Sequence, residues 1–289
     1  MDSQLLRGAY SAILASLMFA AMGAAVRHAS VSLENEMVVF LRNSLGFLFL
    51  FPWLCYKGLQ NLRTQRLSAH IVRSVSGLAA MYCFFYAIAP LQLAEAVLLN
   101  YASPIFIALI ALLWLGEKTS AQLVSAIVAG FIGICFILKP GADLFHGAAW
   151  IGLLSAVFAA LAMVTIRELS STEPTSRIVF YFSLTSTLIS SVPLLWSWHT
   201  PSPQQLLTMA FAGLSATLGQ FFLTYSYSLA PAAQIGPFTY SSVVFAAIFG
   251  WIFWTESPDL YTLIGALLII IAGSMTLRQR SLPQLTEPD

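Results

Sequence analysis

The chain has 289 residues, of which 58% are hydrophobic and only 9% charged, and its formal net charge is +1. A soluble domain carries about 25% charged residues, so 13 Lys and Arg with 12 Asp and Glu cannot cover a water-exposed surface of this length. The apolar content excludes disorder and the lack of basic excess excludes nucleic acid, which leaves a helical polytopic membrane protein with the lipid bilayer as its partner.

Apolar stretches of spanning length are predicted over residues 8–26, 37–56, 71–89, 93–115, 121–138, 148–166, 178–198, 205–229, 232–254 and 260–277. The first run is full length and no small-residue cleavage site follows it, so it reads as a span and not as a removable leader. With a cytoplasmic N-terminus, the inner segments hold Arg7, Lys57, Arg63, Arg66, Arg73, Lys118, Arg167, Arg177, Arg278 and Arg280. The outer loops then hold only Arg27 and Lys139. This asymmetry predicts a multi-pass protein of the cell inner membrane with both termini cytoplasmic and a polar tail at 281–289. Connections are short, so no soluble domain is expected.

The polar residues inside the spans carry the functional reading. Arg42 lies in span two, where an intramembrane guanidinium must face the bundle interior and find a partner. It is either a bidentate clamp for a substrate carboxylate or phosphate, or an ion pair with Glu95 at similar depth in span four, permanent or made in one access state only. Glu95 is also a candidate proton carrier. Arg73, near the cytoplasmic edge of span three, reads either as a snorkelling headgroup anchor or as an inner-gate residue. Tyr82 and Tyr86 share a face of the same span, and each offers a ring for stacking and a hydroxyl for hydrogen bonding.

Span four continues with Asn100, Tyr101 and Pro104. Proline frees the carbonyl four residues back, which belongs to Asn100, and predicts a polar kink in mid-membrane. Gln220, Thr224 and Tyr227 follow at i, i+4 and i+7 on one face of span eight. Span nine carries Gln234, Pro237 and Tyr240, the counterparts of the broken region in span four. Glu117 and Glu256 sit at span ends, where they are expected to accept hydrogen bonds near the start of the following helix. Cys55, Cys83 and Cys135 all fall in spans, without a CxxC pair or a histidine cluster. No disulfide, metal or other cofactor is therefore expected. GxSxG, HExxH and GxxxxGK[ST] motifs are absent, so the chain does not read as an enzyme.

Matches at one offset divide the chain in two. Gly8-Ala9 matches Gly147-Ala148, and Ser16-x-x-Phe19-Ala20-Ala21 matches Ser155-x-x-Phe158-Ala159-Ala160. Ser44-Leu45 with Ser183-Leu184, Tyr101 with Tyr240 and Glu117 with Glu256 keep the same separation of 139 residues. Repeats over 1–139 and 140–280 with five spans each enter the membrane from opposite sides. The predicted fold is thus all-α, with ten transmembrane helices in two inverted five-helix repeats.

The segment from Ala94 to Leu138, with Pro104-Ile-Phe, Leu115-Gly116-Glu117, Gly130 and Gly133, resembles the drug/metabolite transporter superfamily, EamA-type branch. Its partner from Ala233 to Met275 keeps Glu256, but has Thr255 for the glycine and Val243 where Pro104 would fall. Arg42 with Pro52, and His70-x-x-Arg73, are also similar to one branch of that family, and the resemblance extends over residues 8–277. It implies a secondary transporter for a small organic metabolite, working by alternating access as a monomer or homodimer. Its relatives move amino acids, S-adenosylmethionine, riboflavin or carboxylates. A coupling proton or an exchanged metabolite would supply the energy. A non-transporting scaffold or receptor, or a subunit of a membrane enzyme, is the alternative from another class.

Overall fold

The computed structural model describes residues 3–57, 62–103, 105–106, 110, 125, 128–130, 132–133, 136, 147–229, 238–239 and 241–278. Its helices are α1 (Ser3–Ala29), α2 (Asn35–Lys57), α3 (Leu67–Ile88), α4 (Leu93–Asn100), α5 (Gly147–Leu169) and α6 (Thr175–Ser190). The one-turn α7 (Leu194–Ser197) follows, then α8 (Pro203–Leu229), α9 (Ser241–Trp254) and α10 (Leu260–Arg278). No strand occurs among the described residues. Leu6–Ala29, Leu67–Ile88, Gly147–Ile166 and Pro203–Leu229 are each long and apolar enough to cross a bilayer, and Ser241–Trp254 is a shorter apolar helix.

Two expected spans are interrupted. Span seven breaks at Ser191–Pro193, because proline cannot donate into a continuing helix, and resumes only as α7. Span four breaks at Asn100: the Tyr101 and Ala102 amides turn to carbonyls of the preceding turn, and Ile105 bonds to Ala102 at 3.0 Å. Pro104, from which a kink was expected, lies outside the described residues, as do Pro237, Gln234, Tyr240, Glu117 and Cys135.

The packing repeats itself. α1 lies along α8 and α3 along α5; α2 packs on α8 and α6 on α3; α1 meets α9 and α5 meets α4. Exchanging α1 with α5, α2 with α6, α3 with α8 and α4 with α9 turns each pair into its partner pair. The α2–α6 and α4–α9 contacts map onto themselves, so they lie on the pseudo-two-fold axis of the inverted repeats. The turns agree. Ser30, Ser32 and Leu33 bond back to Val26, Ala29 and Ala29; Ser170, Thr172 and Glu173 bond back to Ile166, Leu169 and Leu169. Here the offset is 140.

Lipid tails are as apolar as leucine side chains, so helix association needs small residues that let backbones approach. The buried face of α1 accordingly presents Ala9, Ala12, Ala15, Ala20, Ala24 and Ala25. The tightest crossing joins α2 to α8. A Cβ on Gly213 would stand 2.7 Å from the Gly46 amide nitrogen, and the Thr217 hydroxyl donates to the Gly46 carbonyl at 3.0 Å. Arg42 is one turn before this crossing, which fixes its direction.

Candidate functional site

Arg42 and Arg73 are both buried, at 4% and 3% exposure. Their guanidinium carbons lie 5.9 and 3.9 Å from the Phe182 ring centroid, which brings α2, α3 and α6 to one point. Arg42 Nη1 donates to Asn43 Oδ1 at 2.6 Å, and Arg73 Nη2 donates to Gln220 Oε1 on α8 at 3.0 Å. The Nε atoms of both arginines are buried without an acceptor. Neither arginine has a carboxylate within ion-pair distance among the described residues, and the charge acting on Arg73 is Arg42 itself. A buried arginine in a span costs up to about 2.5–3.5 kcal/mol on insertion scales at the bilayer centre and less towards its edge, so two together are a poor choice for stability. Cation–π contact with Phe182 and the neutral acceptors offset part of that.

Arg73 does not snorkel. Its guanidinium folds along α3 towards Gly77, occupying the space that a Gly77 Cβ would need. At 3% exposure, with Phe182 of α6 and Gln220 of α8 against its guanidinium and room left by Gly77, Arg73 turns into the bundle and not outward as a headgroup anchor would. Arg42 and Glu95 are not paired in this conformation. Glu95 accepts from the Thr262 hydroxyl on α10 at 3.3 Å. Depth along the two helices was similar, but α4 packs between α5 and α9, away from α2.

Span eight delivers the face expected of it. Gln220 holds Arg73, Thr224 is buried with its hydroxyl unpartnered, and Tyr227 neighbours Tyr101. Tyr101 lies against the hydroxyls of Ser16 and Ser242. Asn100 donates to Ser155 Oγ at 2.9 Å, and Ser16 Oγ donates to the Thr239 carbonyl at 3.1 Å. Ser16 and Ser155, and Asn100 and Thr239, are each 139 residues apart, so the two repeats use one contact twice. The sequence-predicted residues thus form two groups, Arg42–Arg73–Gln220 and Asn100–Tyr101–Tyr227, joined along one face of α8.

Tyr82 and Tyr86 separate. The Tyr82 hydroxyl is buried without a partner, whereas Tyr86 is 50% exposed on the outside of the described bundle. Phe182, Gly77 and Asn43 belong to the arginine cluster and were missed: phenylalanine and glycine are common in any span, whereas Asn43, a polar residue within span two, was a signal left unused. The offset of 139 read from the sequence pairs Arg42 with Tyr181; the helix starts Asn35 and Thr175 make it 140 here and bring Phe182 opposite Arg42.

Each end of the bundle is tied. At the end carrying Arg63 and Arg66, Glu173 accepts from Thr64 at 2.6 Å and from Arg177 at 2.5 Å, and Arg66 pairs with Glu168. The Tyr181 hydroxyl donates to the Leu62 carbonyl at 2.8 Å, and its ring stacks on buried His70 with centroids 4.5 Å apart. Burial alone would raise the Glu173 carboxyl, but the hydrogen bonds from Thr64 and Arg177 and the nearby positive charge hold it below its ordinary value. At the opposite end Glu256 pairs with Arg27, which lies 4.9 Å from the Trp254 ring centroid, and accepts the Leu93 amide at 3.1 Å. Glu256 therefore serves the N-terminus of α4 in the other repeat and not the helix that follows it. Thr255 before it has φ 54°, a left-handed backbone that favours glycine.

The model of the EamA-like transporter family matches residues 6–139 and again 146–278. The chain is 38% identical to a pseudopaline exporter of Pseudomonas aeruginosa, over 92% of its own length and 94% of that protein's. It is 28% identical to a riboflavin transporter of Vibrio cholerae, over 92% and 91%. With an S-adenosylmethionine uptake transporter of Rickettsia felis it shares 27% identity over 85% and 84%. One solved crystal structure shares the fold, with a TM-score of 0.67, 18% identity and coverage of 97% and 99%.

Proposed function

The chain belongs to the EamA-like transporter family, and from that premise we propose that it is a secondary active transporter moving a small organic metabolite across the inner membrane by alternating access. It is a membrane-embedded transport protein and not an enzyme, in keeping with its family and with the exporter and uptake transporters it resembles. The observation that supports the binding role is the pair of buried guanidiniums, each with an unpartnered Nε–H, where helices of both repeats meet. Gln220, Thr224, Tyr82, Asn100, Tyr101 and Tyr227 complete the assigned substrate path, and Tyr86 and Glu95 lie at its outer margin. Glu95 is assigned to proton coupling where a proton supplies the energy.

In this reading the repeats divide at 139–140 and both termini face the cytoplasm. The Glu173 tie then belongs to the cytoplasmic gate, with Arg73 directly above it, and the Arg27–Glu256 tie to the outer one. Rocking one repeat against the other releases these ties in turn. Reconstitution of the full chain into proteoliposomes loaded with a bacterial metabolite extract tests the proposal. Mass spectrometry should find compounds redistributed faster than in protein-free vesicles. Folded protein that moves none of them overturns it.

A further inference from the structure

Deepening that same site, and resting on the transport reading, we infer that the transported compound is an organic acid with two separate anionic groups, one on Arg42 and one on Arg73. The argument is one of matching charge and geometry. Arg42 and Arg73 both contact the Phe182 ring, so their charges lie no farther apart than the sum of 5.9 and 3.9 Å. Each keeps one nitrogen on a neutral side-chain oxygen, Asn43 for Arg42 and Gln220 for Arg73. Each leaves its buried Nε–H without an acceptor. An Nε–H and the Nη2 beside it are a side-on fork that a carboxylate fills with two parallel bonds, and Arg42 keeps both groups off Asn43 while Arg73 gives one Nη2 hydrogen to Gln220 and retains the other. Two such forks next to each other, with no carboxylate among the described residues to neutralise either, are a receptor for two acidic groups.

A monoanion would leave one guanidinium uncompensated in the membrane interior. A neutral or cationic ligand would leave both, and a cation would add repulsion. Gly77 is part of the same device, because a side chain there would push the Arg73 guanidinium out of position.

Two measurements on the full chain test the inference. In proteoliposomes supplied with bacterial metabolite extract, the compounds moved should carry at least two acidic groups. Arg42→Gln and Arg73→Gln should each slow their flux at least tenfold while eluting as folded protein in detergent. In thermal-shift titrations, citrate, glutarate or succinate should stabilise the wild-type chain more than chloride or butyrate at equal ionic strength, and neither variant should respond. Flux of only neutral, cationic or singly charged compounds leaves the transport reading standing and overturns this one. So does di-acid flux at wild-type rate in both variants. If nothing is moved, the transport reading fails, and absence of any di- or tricarboxylate shift overturns the two-fork assignment as well.

Discussion

Counted from the helix starts Asn35 and Thr175, which correct the 139-residue register of the Ser44–Ser183 match to 140, Arg42 and Phe182 occupy equivalent positions of the two repeats, and they meet, with the guanidinium carbon 5.9 Å from the ring centroid. A residue touches its own repeat equivalent only near the pseudo-two-fold axis. The first repeat places a cation there and the second an aromatic ring, so the axis is symmetric in backbone and asymmetric in chemistry. Arg73 then joins from α3 and turns a two-residue contact into a three-residue cluster. An inverted-repeat transporter with its site on that axis can expose the same groups to either side by rocking.

That cluster should trade stability for function. Replacing even a buried ion pair by apolar residues of similar volume is often neutral or stabilising by about 1–4 kcal/mol, and Arg42 has no carboxylate partner among the described residues to lose. Arg42→Met is therefore expected to raise the apparent melting temperature in detergent while transport falls to the level of empty vesicles. A loss of stability greater than about 2 kcal/mol in this variant would mean that the guanidinium holds the fold together.

Gly77 should matter only through Arg73. Its added Cβ would meet the end of a flexible side chain and, at 3.0 Å, the Phe182 ring edge, so Gly77→Ala should fold with a penalty near 1 kcal/mol. Flux should nevertheless fall about tenfold. In an Arg73→Gln background the same glycine change should have little further effect, a non-additivity measurable as a double-mutant cycle. Additive losses would sever the two residues.

Much of this was legible in the sequence, for identifiable reasons. The scarcity of charge set the fold class, and the five-plus-five pattern with its offset of 139 set the inverted topology. The spacing of Gln220, Thr224 and Tyr227 put them on one face of α8, where Gln220 holds Arg73 and Thr224 is buried. Azimuth was not legible. Span depth put Arg42 and Glu95 at one level, yet only packing tells which way α4 faces, and it turns Glu95 to Thr262. Arg73 misled for the converse reason: a position near the membrane edge favours snorkelling only if the side chain has a route out.

The position after α9 offers a clean stability test. Thr255 adopts φ 54° at the helix end, where the first repeat has Gly116 at the matching position. A left-handed non-glycine residue costs about 1–2 kcal/mol, so Thr255→Gly should stabilise the protein by about 1 kcal/mol. Glu256→Gln should act oppositely, by about 1–3 kcal/mol, since it weakens the Arg27 pair and the bond to the Leu93 amide together. Thermal melts of both variants check the signs.

The tie at the basic end should respond to acid. Glu173 titrates below its ordinary value because Thr64, Arg177 and the nearby positive charge favour its ionised form despite burial. A carboxylate depressed in the folded state contributes fully at pH above its unfolded value, and the contribution is lost as pH falls through the lower folded one. The tie should thus be intact from neutral pH down to about 5 and should loosen only below the ordinary carboxylate range. Hydrogen exchange of residues 62–66 and 170–177, corrected for intrinsic rates, should stay slow to about pH 5 and accelerate below it. Glu173→Gln should show the faster exchange already at neutral pH, with the Arg27–Glu256 end unchanged. Equal exchange in the variant and the wild type at neutral pH would remove Glu173 from the gate.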